Sequence, residues 1–386
     1  MRRSLSSASP MSGSDASAEP NTDKLFTAEH EAMRSTLRRI IEQDINPYVD
    51  EWEAKEIFPA KQLFKKLGNA GLLGVTRPVE YGGLGLDYSY SVALAEEVRQ
   101  SELRRRAHGD RHSRSHELKE QFLRPSIAGD LVACLGVSEP TAGSDVASIK
   151  TTARRDGDDL VINGSKMWIT SGMQARLDVP SSQHRGVDLP GVQRARKIRK
   201  IGIVCTARTL LSYSSRMSEY QPATLLASLV RGFIYQMLQF QEERLFGAAA
   251  NLLGLELIIQ ETAEYAPQSL RQSLLDFQTV HFRLAELLTE VELLRSMVYR
   301  ATAKYVAGND VTMLASMAKT QSWPACTRSE RTAGLQYWGG MGFTDEVRVS
   351  RFYRDGRLLS IGAGADEVML SIICKYMRTL PKPPKK

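Results

Sequence analysis

Apolar residues recur at three- and four-residue intervals between Glu29 and Ile41 and again between Lys61 and Leu67, the spacing that lines them up on one helical face. The chain from Leu25 to about Ile127 is therefore predicted to be mainly helical. Gly68, Gly71 and Gly74 loosen that pattern, and Tyr81-Gly82-Gly83-Leu84-Gly85 reads as a turn. Between Leu131 and roughly Arg231 the helical period fades. A short apolar run, Leu160-Val161-Ile162, meets Asn163-Gly164 and then Lys166-Met167-Trp168-Ile169-Thr170, which predicts a β-hairpin turning at the Asn-Gly pair. The β domain is expected to be the part that folds least well, because Arg208 to Leu229 lacks clean strand alternation. Long apolar stripes at helical spacing return with Phe240 to Tyr265, Thr279 to Val306 and Val311 to Lys319.

The order is helices, a small sheet region, then helices again. It divides the chain into a leader at residues 1–24, an N-terminal helical domain at 25–130, a central β domain at 131–232 and a C-terminal helical bundle at 233–380. The expected fold class is α+β, mainly α. A sheet held between two helical blocks creates clefts at the junctions, where cofactor sites commonly form.

Composition narrows the function classes. The 42% hydrophobic content is that of an ordinary globular chain. Leu245 to Leu255, its longest mostly apolar stretch, is bounded by Arg244 and Glu256 and falls short of the roughly 18 residues a membrane span needs. Cys134, Cys205, Cys326 and Cys374 are far apart with no CxxC spacing, which argues against a disulfide framework and a zinc ribbon. The formal charge of +7 could serve nucleic acid or an anionic ligand such as CoA, but the basic clusters Arg104-Arg105-Arg106 and Arg194 to Lys200 lack interleaved aromatics and read best as solvated charge. His108, His112 and His116 recur at four-residue spacing, but surface histidines explain them better than a metal site, and no metal is expected. Met1 to Ser14, with Arg2, Arg3, many serines and no acid, has the composition of a mitochondrial transit peptide or of a disordered tail. Without a transit peptide the location would be cytoplasmic.

The chemistry-bearing text lies in three places. Leu135-Gly136-Val137-Ser138-Glu139-Pro140-Thr141-Ala142-Gly143-Ser144-Asp145 resembles the flavin signature of the acyl-CoA dehydrogenases, and Trp168-Ile169-Thr170 matches a second signature of that family. Gln336-Tyr337-Trp338-Gly339-Gly340-Met341-Gly342-Phe343 is similar to a third, on the adenosine side of FAD, and Asp276-Phe277-Gln278 fits the helical text before it. The resemblance implies FAD as cofactor. It implies contacts to FAD from Leu135, Val137, Ser138, Gly143, Ser144, Trp168, Ile169, Thr170, Gln278, Gln336, Gly339 and Gly340. These residue types suit flavin chemistry. A flavin that accepts a hydride needs donors at its pyrimidine edge, as the backbone N–H and hydroxyl groups of Val137, Ser138 and Thr170 supply, while Trp168 packs on the ring.

The resemblance also directs the search for a base that removes the α-proton of an acyl-CoA. Many members carry a glutamate in a Tyr-Glu-Gly segment near the C-terminus, where this chain has Gly362-Ala363-Gly364. The isovaleryl and long-chain branches instead carry it on a helix directly before an arginine, and this chain has Glu243-Arg244. Glu243 is accordingly expected to be the general base, with Ser144, Gln241, Arg244, Ala363 and Gly364 at the acyl-CoA. Ala365-Asp366-Glu367 stands where the family has Thr-Ser-Glu beside the flavin, so the added charge of Asp366 is expected to weaken contacts there. The resemblance further implies a C-terminal four-helix bundle, a homotetramer and an electron-transfer flavoprotein as electron acceptor.

The chain departs from the family at intervals. An Arg-x-x-Phe-Gly motif that reaches the FAD pyrophosphate is expected after Tyr265, but the text is Pro267-Gln268-Ser269-Leu270-Arg271. Back-translated and read one base out of frame, that segment gives Pro-Arg-Ala-Phe-Gly, and Arg216 to Pro222 gives Glu-Asp-Val-Arg-Val-Pro-Ala. Similar shifts bring Ala107 to Arg111, Ala175 to Val179 and Ala325 to Ser329 back towards the family pattern. Compensated frameshifts, in a misassembled or decayed gene, account for the pattern. The alternatives to an active dehydrogenase are therefore an impaired or non-catalytic member that binds a partner or DNA, and a chain with no stable fold.

Overall fold

The computed structural model describes residues 25–55, 57–98, 116–156, 159–172, 174–175, 177–180, 197–201, 208–217, 232–265, 273–328 and 335–381. The leader, His108 and His112, and the segments Ala107–Arg111 and Pro267–Arg271 lie outside them. Helices α1 (Ala28–Asp44), α2 (Val49–Ala54), α3 (Ala60–Asn69) and α4 (Tyr88–Val98) open the chain. They bury Leu37, Ile41, Val49, Leu63, Tyr90 and Leu94 against one another and against Val75 of the loop between α3 and α4. The Tyr81–Gly85 turn is present, with Gly82 and Gly85 at φ of 88° and 65°, a left-handed backbone that favours glycine. Two short helices, α5 (His116–Leu118) and α6 (Arg124–Ile127), flank a π-helical turn, and the Nδ1 of His116 is 2.9 Å from the Tyr81 hydroxyl.

The sheet region corrects the expected hairpin. Strands β1 (Ala133–Gly136), β2 (Thr152–Asp156), β3 (Asp159–Thr170), β4 (Leu177–Pro180), β5 (Lys197–Ile201) and β6 (Arg208–Met217) form a two-stranded parallel pair, β1-β4, and an antiparallel sheet in the order β2-β3-β6-β5. Asn163 and Gly164 are not a turn but interior residues of β3, paired with Ser214 and Tyr213 of β6. The hairpin closes earlier, since Asp156 pairs with Asp159 across residues 157–158. Gly164 is needed for close approach instead: a Cβ there would lie 2.6 Å from the Thr151 Cβ and 2.7 Å from its Cα. Gly164→Ala is expected to destabilise the protein by about 1–3 kcal/mol through overpacking. Thermal melting checks this, and an unchanged midpoint would contradict it. Of Arg208 to Leu229, Arg208–Met217 forms a strand despite poor alternation, because it pairs with both β3 and β5 and ladder hydrogen bonds outweigh local propensity, and residues 218–229 lie outside the described residues.

The C-terminal half is helical: α7 (Gly232–Tyr265), α8 (Gln278–Val306), α9 (Thr312–Arg328), α10 (Gln336–Trp338), α11 (Arg348–Gly356) and α12 (Asp366–Tyr376). Leu245, Ala248, Ala249, Leu252, Leu255 and Ile258 of α7 are fully buried at helical spacing, facing Leu287, Val291 and Val298 of α8 and Ala315 and Ala318 of α9. Each such leucine contributes about 1.5–3 kcal/mol on leaving water. Ala248 and Ala249 let the neighbouring helix backbones approach. Tyr88, Val92 and Ala95 of α4 join this same cluster and dock the first helical block on the bundle.

That docking carries a buried charge network. Glu96 and Glu97 sit in the last turn of α4, where a carboxylate opposes the helix dipole, and are 1% and 0% exposed. Arg34 of α1 donates to Glu96 at 2.5 Å, and Arg38 donates twice to Glu97 at 3.2 and 2.8 Å. Burial pushes the Glu96 carboxyl up; Arg34, Tyr299 and Arg295 pull it back without cancelling the shift.

Candidate functional site

The two flavin-like segments are brought together in space. The loop after β1 carries Val137 and Ser138, and the Ser138 carbonyl accepts a hydrogen bond from the Met167 N–H of β3 at 2.9 Å. Glu139, in the same loop, accepts from the backbone N–H groups of Lys150 (2.5 Å) and Thr151 (2.9 Å) and from Lys166 Nζ (2.9 Å). Lys166 Nζ also donates to the Val137 carbonyl at 2.9 Å. The side chains of Lys166 and Glu139 are 0% and 3% exposed, so the ion pair is dry. Burial alone would raise the Glu139 carboxyl; hydrogen bonds from Thr151, Lys166 and Lys150 outweigh it and hold it below the ordinary carboxylate range.

The end of β3 is irregular. Its pairing with β6 shifts register between Lys166 and Ile169, and Trp168 at this bulge has φ of 65°, as does Ser171 beyond it. A bulky residue in left-handed backbone costs about 1–3 kcal/mol and persists only where neighbours over-determine it. The bulge buries Ile169 (2% exposed) and turns Trp168 outward (45% exposed) beside exposed Thr170. Leu135 is half-buried on β1, and Gly143 and Ser144 are exposed, with nothing within 4 Å of where a Cβ of Gly143 would stand.

The candidate base lies on α7. Glu243 is 8% and Arg244 6% exposed, and Arg244 is held below its usual range by burial, which the Glu243 charge opposes. The neighbouring acid is committed elsewhere: Tyr305 donates to Glu242 Oε1 and Tyr88 to the Glu242 carbonyl, each at 2.5 Å. Adjacent helical residues diverge by roughly 100°, so the bonds that tie Glu242 to the α4–α8 side turn Glu243 away from it. Gln241 donates to Asp310 Oδ1 (3.1 Å) and Thr312 Oγ1 (3.2 Å) at the start of α9, and Tyr376 of α12 donates to Asp310 Oδ2 at 2.8 Å.

The Gly362–Asp366 turn packs against α9. Lys319, 4% exposed, donates to the Gly364 carbonyl at 2.5 Å and to Asp366 Oδ1 at 3.2 Å. The charge of Asp366 is thereby balanced by a buried lysine. Ala363 and Gly364 are left-handed, with φ of 56° and 98°. Ala365 is half-buried at the N-cap of α12, and Glu367 is exposed in its first turn. Gln278, Gln336, Gly339 and Gly340 are exposed or half-buried, and both glycines face open space, while Trp338 stacks on Tyr265 with ring centroids 4.1 Å apart.

Residues that sequence reasoning missed are those that hold the others: Glu139 and Lys166 under the flavin-like loop, Lys319 under the C-terminal turn, Asp310 beside Gln241, and Tyr88 and Tyr305 on Glu242. The one signal available was a lysine inside a strand-like apolar run at Lys166.

Residues 27–108, 134–203 and 230–377 match the N-terminal, middle and C-terminal domains of acyl-CoA dehydrogenases. The chain is 30% identical to a 3-(aryl)acrylate reductase of Clostridium sporogenes, over 91% of this chain and 99% of the relative. It is 30% identical to the mitochondrial short-chain specific acyl-CoA dehydrogenase of Rattus norvegicus, over 90% of each chain. The crystal structure of an acyl-CoA dehydrogenase from Geobacillus kaustophilus superposes with a TM-score of 0.85 at 32% identity, covering 92% of this chain and 99% of that one. With helical, sheet and bundle segments in the same order and with relatives aligned along nearly their whole length, the chain belongs to the acyl-CoA dehydrogenase family.

Proposed function

We propose that this protein removes the α-proton of an acyl-CoA thioester with Glu243 and delivers the β-hydrogen as hydride to FAD. The family uses FAD, and the residues present fit it. Gly143, Gly339 and Gly340 leave open space, Ser138 and Thr170 offer hydroxyl and N–H donors, and Trp168 presents its ring to solvent. When bound, FAD supplies the two-electron acceptor for the Cβ hydride.

The protein's own part is proton handling and positioning. Glu243 takes the proton in an environment where few waters compete, and Arg244 beside it balances charge as the carboxylate is neutralised. Gln241, Ser144, Ala363 and Gly364 line the acyl-CoA. The observation that carries the reading is a dry Glu243-Arg244 pair on α7, next to a glutamate whose carboxylate is already bonded to Tyr305. Reoxidation by an electron-transfer flavoprotein, assembly as a homotetramer through exposed α8 residues such as Phe282, Leu288 and Leu293, and a mitochondrial leader in residues 1–14 belong to the same proposal. Without that leader the enzyme works in the cytoplasm.

The likeness to a 3-(aryl)acrylate reductase supports a second direction, in which Glu243 protonates Cα of an unsaturated acid derivative. The test is spectroscopic. Purified protein reconstituted with FAD is expected to lose its visible flavin absorbance on anaerobic addition of an acyl-CoA. Retention of that absorbance with every saturated thioester, together with reoxidation of dithionite-reduced flavin by an arylacrylate derivative, which takes the flavin's hydride at Cβ and a proton from Glu243 at Cα, would favour the second direction. Protein that takes up no FAD and binds DNA in a salt-dependent way would contradict both.

A further inference from the structure

We propose that Glu139 and Lys166 are positioning residues for the flavin site, a buried clamp that sets the conformation of the Val137-Ser138 loop and of the Trp168 bulge relative to one another. The inference rests on the reading that this loop and bulge border FAD. Its warrant is geometric. Lys166 Nζ joins two points of the loop, the Val137 carbonyl and the Glu139 carboxylate, each at 2.9 Å. Glu139 in turn ties the loop to the backbone of Lys150 and Thr151 at the start of β2. One residue after Lys166, the Met167 N–H holds the Ser138 carbonyl. The bulge and its left-handed Trp168 follow at once.

Stability alone explains such a pair poorly. Two charges taken fully out of water recover their desolvation cost only with excellent geometry, and apolar replacements of similar volume are often neutral or stabilising. What the pair provides and an apolar contact does not is direction. A lysine with its donors fixed on two loop oxygens aligns Val137 and Ser138, and so aims the N–H and hydroxyl groups between them. It also anchors one side of a strained bulge whose other side is anchored by buried Ile169. In a site where donors must meet developing charge to within a few tenths of an ångström, this alignment governs cofactor affinity and electronics.

The test compares wild type with Lys166→Met and Glu139→Gln. The readouts are FAD dissociation constant, midpoint potential of bound flavin, melting of the FAD-free protein, and hydrogen exchange of segments 135–142 and 166–171. The expected result is FAD binding weakened at least about tenfold, a more negative flavin potential, and faster exchange confined to those segments; the cofactor-free melting midpoint falls, because each variant leaves one buried charge without its partner, so affinity and potential are compared at a temperature where all the proteins are fully folded. Glu139→Gln keeps side-chain volume and is expected to give a smaller shift in the same direction; it carries the test if Lys166→Met does not fold. Wild-type affinity and potential in both variants would overturn the clamp while leaving the FAD reading intact, as would a loss of affinity that only tracks a general loss of stability or a failure of both variants to fold. Wild-type protein that binds no FAD would overturn the underlying reading and the clamp with it.

Discussion

Glu243→Gln is expected to slow acyl-CoA-dependent flavin bleaching by about 10²–10⁴-fold while leaving FAD bound, because loss of a positioned general base has that order of effect. Glu242→Gln, one residue away, is expected to keep activity within about tenfold. The difference follows from their surroundings. Glu242 accepts from Tyr305 through its carboxylate and from Tyr88 through its carbonyl, so it fastens α7 to α4 and α8. Glu243 is buried with Arg244 as its charged neighbour. Stopped-flow absorbance with each variant checks the split. Equal losses in both variants would mean that the two acids act only through the integrity of α7.

The second large effect concerns stability. Arg34→Met removes the guanidinium that lies 2.5 Å from Glu96 and 3.7 Å from Glu97, at a helix end whose dipole already disfavours carboxylates. Breaking a buried pair by deleting one partner costs about 3–5 kcal/mol. The lower end is expected here, since Glu96 can take up a proton and Arg38 remains on Glu97. The melting temperature should fall by several degrees.

pH supplies the sign. Burial raises the Glu96 pKa in the folded protein, so between the ordinary glutamate value and the raised one the folded state binds more protons than the unfolded state. The contribution of Glu96 to stability is therefore fully present below the ordinary value and is lost as pH rises through the folded value. Relative to Glu96→Gln, wild type should lose stability across that window, and Arg34→Met should widen it. A difference that grows with pH in the opposite sense would contradict this picture of the α1–α4 junction.

The helices were legible because their signal is local and periodic. Leu245, Ala248, Leu252 and Leu255 repeat on one face of α7 whatever the tertiary context, and the same holds for α1 and α8. Asn163-Gly164 misled because the same dipeptide serves a tight turn or a close backbone approach, and only the Thr151 backbone opposite decides between them. β6 was illegible for a related reason: its partners, β3 and β5, lie elsewhere in the chain. The candidate site divides similarly. Glu243 could be singled out through its family-like text and the alanine at position 363, since two adjacent glutamates on a helix ordinarily read as solvated. The supports of the site, Glu139 with Lys166 and Lys319 with Asp366, are contacts between distant segments, and apart from a lysine within the apolar run at Lys166 their residues carry no local mark.

Proton abstraction by Glu243 can be isolated from hydride transfer with an acyl-CoA analogue bearing sulfur in place of Cβ, which exposes an acidic Cα–H but has no β-hydride to give. Incubated in deuterium oxide with the FAD-loaded protein, its α-position is expected to take up deuterium with wild type and to remain protonated, on the same timescale, with Glu243→Gln. Exchange at the wild-type rate in Glu243→Gln would show that another group removes the proton and would contradict the assignment.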